Sequence, residues 1–183
     1  MRYFMALFIF ISTLFANEQA DFIRYYQEDN YTSYQKACQI GKGLIYNKLR
    51  DEKMLSLIGL ACMRADYIDM LGIIQSRLYM TKKGRANATI FSSLVVQKRL
   101  IYQFLYDDVA LTSLALPISD HPLSKAFVAL RDKNYTRLSA KPLKLEFKES
   151  DIRYELYIDY AKSGKVAIDI FFADGKLQEH RYR

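Results

Sequence analysis

Hydrophobic residues recur every three to four positions between residues 20 and 135, a spacing typical of amphipathic helices. Within this region four apolar segments each run into Asn or Asp, mostly followed by Tyr, at Asn30, Asp66, Asp107 and Asn134. Asn and Asp favour helix starts because their side chains accept bonds from the first-turn amides. The pattern therefore predicts pairs of helices joined at these turns, in a helical region over residues 17–139.

From residue 143 onward, hydrophobic and polar residues alternate instead. Three runs share this period of two, and they begin at Leu143, Tyr154 and Val166. Alternation places each apolar set on one face of a strand, and the Asp174-Gly175 pair after the third run is a strong hairpin signal. We therefore predict an α+β fold, in which a small antiparallel β-meander of three or four strands over residues 140–183 caps the helices.

The chain begins with a separate hydrophobic pattern. Arg2 precedes an apolar run from Phe4 to Phe15, and Ala16 follows before a polar stretch. The run is shorter than the roughly 20 residues that a membrane-spanning helix needs. Its order of charged tip, apolar segment and small residue is typical of a cleavable signal peptide over residues 1–16. This predicts a periplasmic or otherwise exported protein; the alternative is an uncleaved membrane anchor.

The formal net charge of +7 bears on the class of partner. In a cytoplasmic protein such a charge would suggest nucleic acid, but export makes acidic partners in the cell envelope better candidates. The alternative is that the positive charge only aids solubility. Hydrophobic residues make up 51% and charged residues 26% of the chain, which is normal for a globular protein. Seven Gly and three Pro are too few for a linker-rich or disordered chain.

Cys38 and Cys62 are the two cysteines of the chain. An even number in an exported protein favours a disulfide. Both lie in helical patterns, and a turn near Leu49 would set them at similar heights on antiparallel helices. We therefore predict a disulfide between them; the alternative is two buried free thiols that pack as small apolar residues.

The segment 57–71 combines an apolar helix, a Gly after an apolar residue and an aromatic residue after the turn. The turns at Asn30, Asp66 and Asn134 are separated by 36 and then 68 residues, near one and two periods of 34. Over residues 18–135 this resembles the tetratricopeptide repeat family, and paired cysteines on neighbouring helices resemble the Sel1-like relatives of bacterial envelopes. The usual closing Pro is missing, as are the longer repeat and Gly pattern of the Sel1-like proteins. The resemblance implies a helical solenoid that holds other proteins; an irregular helical bundle is the alternative.

Motifs that carry catalytic chemistry are missing from the sequence: there is no Gly-rich phosphate loop, no His-Glu-x-x-His, no Cys-x-x-Cys and no Gly-x-Ser-x-Gly. Two histidines leave little for a zinc site. His121 stands before Pro122, which indicates a helix start, and we expect His180 to be exposed in a polar terminal strand. We therefore assign no catalytic, cofactor-binding or metal-binding residue, and we expect no cofactor.

Three glycosylation sequons begin at Asn30, Asn87 and Asn134. Asn30 and Asn134 also have an acid two residues upstream, which resembles the extended acceptor sequence of the bacterial periplasmic oligosaccharyltransferase. Both fall at predicted turns, so they are the candidate N-glycosylation sites. The alternative is that these residues only cap helices.

Together these patterns favour a non-enzymatic protein-interaction or scaffold module of the periplasm, such as an accessory of a motility or secretion complex. This hypothesis predicts protein partners in the cell envelope and no nucleic acid. The alternative is a cell-wall-active enzyme or a small-ligand-binding protein with a cleft between helices and sheet. A membrane-tethered form of the first hypothesis would follow if the signal were uncleaved.

Overall fold

The computed structural model describes residues 17–47, 49–162 and 164–182. The signal peptide predicted for residues 1–16 lies outside these residues and stays a prediction. The chain divides into two compact units between Ala88 and Thr89, inside its longest helix. Each unit has its own secondary structure and is described by itself.

Helices precede strands along the chain, which confirms the predicted α+β fold class. The first helix, α1, covers residues 17–27. Five more helices follow within the described residues: α2 (Tyr31–Tyr46), α3 (Glu52–Arg64), α4 (Ile68–Gln75), α5 (Lys82–Asp107) and α6 (Pro122–Arg131). None of the helices described combines the length and apolarity needed to span a membrane.

The first unit is built around the packing of α2 against α3. Each of these helices begins at a capping side chain: Asn30 accepts a bond from the amide of Ser33, and Asp51 accepts one from the amide of Lys53. The apolar residues buried in the two helices include Ala37, Cys38, Leu44, Ile45, Leu55, Ile58, Ala61 and Cys62. Burying a large apolar side chain stabilises a fold by about 1.5–3 kcal/mol, so this helix pair carries much of the unit's stability.

The four similar stretches of the sequence share a type of helix ending. A left-handed residue follows each of the helices α1, α3, α5 and α6: Asp29, Asp66, Asp108 and Lys133. After α3 the amide of Tyr67 donates to the carbonyl of Cys62, and after α6 the amide of Asn134 donates to that of Ala129. These bonds are typical of the Schellman motif, which satisfies the last carbonyls of a helix.

These left-handed helix endings are followed by different elements along the chain. A helix begins soon after Asp29 and Asp66, as predicted. The helix starts predicted near Asp107 and Asn134 are wrong, because residues 108–121 contain neither helix nor strand and Asn134 leads into a strand. A local helix ending can therefore recur without a helical hairpin after it.

The second unit contains a five-stranded antiparallel sheet, in which each strand pairs with the next along the chain. Its strands are β1 (Thr136–Ala140), β2 (Leu143–Glu149), β3 (Ile152–Asp159), β4 (Lys165–Phe171) and β5 (Leu177–Tyr182). This is the predicted meander with one strand more than expected. The additional strand is β1, which is mostly exposed and lacks the alternation that reveals β2, β3 and β4.

The two faces of this sheet differ in polarity. Leu156 and Ile168 pair across β3 and β4 on one face and are fully buried. His180 pairs with Ile168 from β5, so it lies on that buried face and is only 7% exposed. The expectation that His180 is exposed is therefore wrong, because the register of β5 turns it and Tyr182 towards the core.

Candidate functional site

The loop between α4 and α5 is held by the carboxylate of Glu52, which lies at the start of α3. Glu52 accepts hydrogen bonds from the amides of Tyr79, Met80 and Thr81 at 2.5–2.8 Å, and from the Thr81 hydroxyl at 2.6 Å. These bonds lower the pKa of Glu52 to about 2, with the Thr81 hydroxyl as the largest cause. The carboxylate is therefore ionised near neutral pH, and charge-assisted bonds of this kind are strong.

The same loop is also tied to the first turn of α5. Arg85 donates to the carbonyls of Tyr79 and Met80, both at 3.0 Å. The Thr81 hydroxyl accepts from the amide of Gly84, and a Cβ at Gly84 would overlap the Glu52 carboxylate. Both the amides and the carbonyls of the loop are thus engaged, which fixes its backbone.

This fixed loop presents two large apolar side chains to solvent. Tyr79 is 68% exposed and Met80 is 70% exposed, and Tyr46 at the end of α2 is 64% exposed. Tyr, Met and Arg are enriched at protein interfaces relative to the rest of the surface. A cluster of exposed apolar side chains is typical of an interaction site.

The exposed side chains border a groove with a volume of about 930 Å³, which we call the Tyr79 groove. It is lined by Ile45, Tyr46, Leu49, Arg50, Asp51, Leu55, Arg77, Tyr79 and Met80. Arg77 is anchored there by a 3.0 Å bond to the carbonyl of Ile45 in the last turn of α2. The groove thus combines apolar walls with two arginines, of which Arg77 is fixed by this bond.

A second concave site lies in the other unit, between α6 and β2. This cleft has a volume of about 580 Å³; Val128, Ala129 and Phe147 supply apolar lining, and charged residues including Lys125 and Glu149 share it. Bonding to Glu149 is the largest cause of the raised pKa of Lys125, which keeps the amine protonated. Lys125 is therefore ion-paired within the chain and is unsuited to act as a base near neutral pH.

The polar face of the sheet carries a dense ion-pair network centred on Arg181. Its guanidinium donates to Asp159 at 3.0 Å, to Asp169 at 2.7 Å and to the Tyr157 hydroxyl at 2.8 Å. Burial, followed by the hydrogen bond to Asp169, raises the pKa of Tyr157 to about 12. The network links β3, β4 and β5, and its arginine is engaged within the sheet, which indicates a structural role.

The structure brings the two cysteines together. The Sγ atoms of Cys38 and Cys62 lie 2.08 Å apart, and the link joins the buried faces of α2 and α3. In the described part of the chain, no three side chains of His, Cys, Asp or Glu converge as a metal-ligand set. His121 caps α6 through Nδ1, which accepts from the amide of Leu123 at 3.2 Å.

The candidate glycosylation residues lie in different settings. Asn30 is exposed but its side chain is engaged at both ends, since it accepts from Ser33 and donates to the carbonyl of Glu28. Asn134 is exposed in the turn between α6 and β1 and lines the α6–β2 cleft. Asn87, the sequon without an upstream acid, lies inside helix α5. Use of either candidate stays a prediction.

Sequence reasoning missed the Tyr79 groove. Its components come from segments that meet only in the fold, because Glu52 reaches a loop 27 residues further along the chain. One local signal was present: Tyr79 and Met80 stand directly before Thr81, at a helix start rich in Lys and Arg. Both residues precede the helix that begins at Lys82, so the helical pattern does not account for their apolar side chains.

Comparisons with protein-family models, with curated proteins and with solved structures found no match to this chain. Functional inference therefore depends on the geometry and chemistry of the two concave sites. The Tyr79 groove has the larger volume and the more exposed apolar residues.

Proposed function

We propose that this chain is a non-enzymatic protein-binding module, and that the Tyr79 groove holds part of a protein partner. The observation that carries the proposal is the fixed presentation of Tyr79 and Met80 by the Glu52 carboxylate. Exposed apolar side chains gain free energy when a partner covers them, at about 25 cal/mol per Å² of apolar area.

Rigidity of the loop adds to this gain. Ordering a flexible side chain or loop on binding costs about 0.5–1.5 kcal/mol per immobilised side chain. The bonds from Glu52 and Arg85 already order the backbone of the Tyr79 loop, so less of this cost falls on binding.

The proposal includes the setting inferred from the sequence. It assigns the module to the periplasm or cell envelope, as an accessory of an envelope machine such as a motility or secretion complex, with tetratricopeptide-like helices. Support comes from the signal-like pattern of residues 1–16 and from the Cys38–Cys62 pair, because disulfides persist in oxidising compartments.

Site-specific crosslinking in the native host tests the binding function. A photoreactive phenylalanine analogue replaces Tyr79 in one strain, and Tyr106 in a control strain, because Tyr106 is similarly exposed on α5. We expect one dominant protein adduct from position 79 that position 106 does not form. Equal labelling at both positions, or no adduct at position 79, would refute the binding function.

The α6–β2 cleft supports a second candidate function, the binding of a small ligand. Its apolar lining and charged groups are the pattern found in ligand pockets of this volume. A Val128→Trp substitution would fill the cleft. Any cell-wall fragment that raises the thermal stability of the native chain should lose this effect in the variant, and an unchanged effect would exclude this cleft as its binding site.

A further inference from the structure

We propose that the occupant of the Tyr79 groove is an acidic segment of the partner that also carries an apolar side chain, an inference that rests on the protein-binding function above. Its basis is the charge around the groove together with the exposed apolar residues. Arg50 and Arg77 would bind the carboxylates of this segment. Tyr46, Tyr79 and Met80 would contact its apolar side chain.

Most of the chain around the groove is basic. Residues 42–50 and 77–85, which supply seven of its nine lining residues, together contain seven Lys or Arg and no Asp or Glu. Asp51 is the one acid among the lining residues. Two of the basic residues, Arg50 and Arg77, line the groove itself. Among the described residues, neither forms an ion pair, so their charge is not neutralised within the first unit.

Asp51 lines the groove and Glu52 follows it in the chain, and both carboxylates already bind backbone amides. Asp51 caps α3 by accepting from the amide of Lys53 at 3.0 Å, and Glu52 accepts from three loop amides. Both negative charges are therefore offset by backbone N–H groups rather than by the neighbouring arginines. The groove is left with excess positive charge, which complements an acidic ligand.

Arginine is also the side chain best suited to bind carboxylates at a fixed position. Its planar guanidinium has five N–H donors, and it can bind a carboxylate through two parallel bonds. In Arg77 one donor is bonded to the carbonyl of Ile45, which orients the group at the groove. Recognition of acidic motifs by arginine clusters is a recurrent mode of peptide binding.

The concave shape favours a protein segment over a membrane surface. A basic surface with aromatic residues can also bind anionic lipid, but a lipid headgroup layer is broad and meets projecting side chains. Here the two arginines line a groove with Leu49 and Leu55 in its walls. A single extended or helical segment can enter such a groove, whereas a membrane surface cannot fill it.

Selection from a random dodecapeptide display library on the immobilised full chain tests this inference. A peptide is assigned to the Tyr79 groove if it is enriched on the native chain but not on the Tyr79→Ala variant. We expect these peptides to be acidic and to share an apolar residue. Replacing Asp and Glu by Asn and Gln in a synthetic copy should weaken its binding about tenfold, because several ion pairs of up to about 1 kcal/mol each are lost.

The matched variants are Arg50→Gln and Arg137→Gln, since Arg137 is an exposed arginine on β1 in the other unit. We expect Arg50→Gln to weaken the acidic peptide about threefold, with a smaller dependence on salt, and Arg137→Gln to have no effect. Groove peptides that are neutral or basic would overturn the acidic occupant but leave the binding function intact.

Two further outcomes also overturn the acidic occupant. One is that no enriched peptide depends on Tyr79, in which case the crosslink at position 79 still decides the binding function separately. The other is binding to phosphatidylglycerol vesicles that is lost with Tyr79→Ala, which would identify the groove as a lipid-binding surface. We expect such vesicles to bind the native chain and Tyr79→Ala equally.

Discussion

The close approach of α2 and α3 at Gly41 predicts that even one added methyl group destabilises the first unit. An ideal Cβ at Gly41 would lie 2.5 Å from Cγ2, 2.8 Å from Cγ1 and 3.2 Å from Cβ of Ile58. Non-bonded carbons prefer separations of about 3.5–4.0 Å. Ile58 is fully buried, and its β-branched side chain has one strongly preferred rotamer in a helix, so it cannot turn aside easily.

The disulfide prevents the helices from relieving this overlap by moving apart. Cys38 precedes Gly41 by about one turn on α2, and Cys62 follows Ile58 by about one turn on α3; their Cα atoms are held 4.8 Å apart. Overpacking a core costs about 1–3 kcal/mol, and we expect the upper half of that range here. Ala is favoured over Gly in a helix by about 1 kcal/mol, so Gly41→Ala should destabilise the chain by about 1–2 kcal/mol.

Gly43 provides the control because it lies on the same helix and an added Cβ would meet nothing within 4 Å. Gly43→Ala should therefore stabilise the chain by about 1 kcal/mol. Urea unfolding followed by circular dichroism at 222 nm measures both variants, and it suits a chain that lacks Trp. Equal stabilities for the two alanine variants would refute the close approach. When Ile58 is replaced by Ala, the overlap is removed. In a double-mutant cycle, Gly41→Ala should therefore stabilise the Ile58→Ala variant, although it destabilises the native chain.

Three further predictions concern capping and pH. Lys133→Gly should stabilise the chain by about 0.5–1 kcal/mol in thermal unfolding, since Lys133 has a φ of 58° that glycine adopts without cost, and a loss of stability would contradict the left-handed helix ending. His121→Ala should cost about 1 kcal/mol while His121→Asn retains most of the stability, because Asn is a good N-cap; equal losses would exclude a capping role. The Glu52 carboxyl has a pKa of 4.5 in the unfolded chain and about 2 in the folded one, so it contributes stability above pH 4.5 that is lost as the pH falls towards 2. Glu52→Gln should remove this part of the pH dependence of the free energy of unfolding, measured in urea. The same pH dependence in both proteins would contradict this.

Local signals in the sequence predicted the order of elements well. The change of hydrophobic period marked the passage from helices to strands, and the Asp174-Gly175 pair forms a turn in which Gly175 has a φ of 81°. His121 and Pro122 begin α6 as expected. These features depend on residues within a few positions of one another, and so a single sequence can reveal them.

Features that depend on distant pairing were missed or predicted wrongly. The burial of His180 depends on the register of β5 against β4, which polar composition alone does not indicate. The similar stretches at Asp66 and Lys133 share a helix ending, but tertiary context decides whether a helix or a strand comes next. The Tyr79 groove depends on Glu52 meeting a loop far along the chain, and no local pattern predicts that contact.

The most direct test of the protein-binding account is the affinity of the native chain for the partner identified by crosslinking at position 79. Isothermal titration with the purified partner would compare Tyr79→Ala with the similarly exposed control Tyr106→Ala. The account predicts that Tyr79→Ala weakens binding about 30-fold, the loss expected for a central interface tyrosine, while Tyr106→Ala leaves affinity unchanged. Affinities within about twofold of the native value for both variants, well below that expected loss, would contradict it.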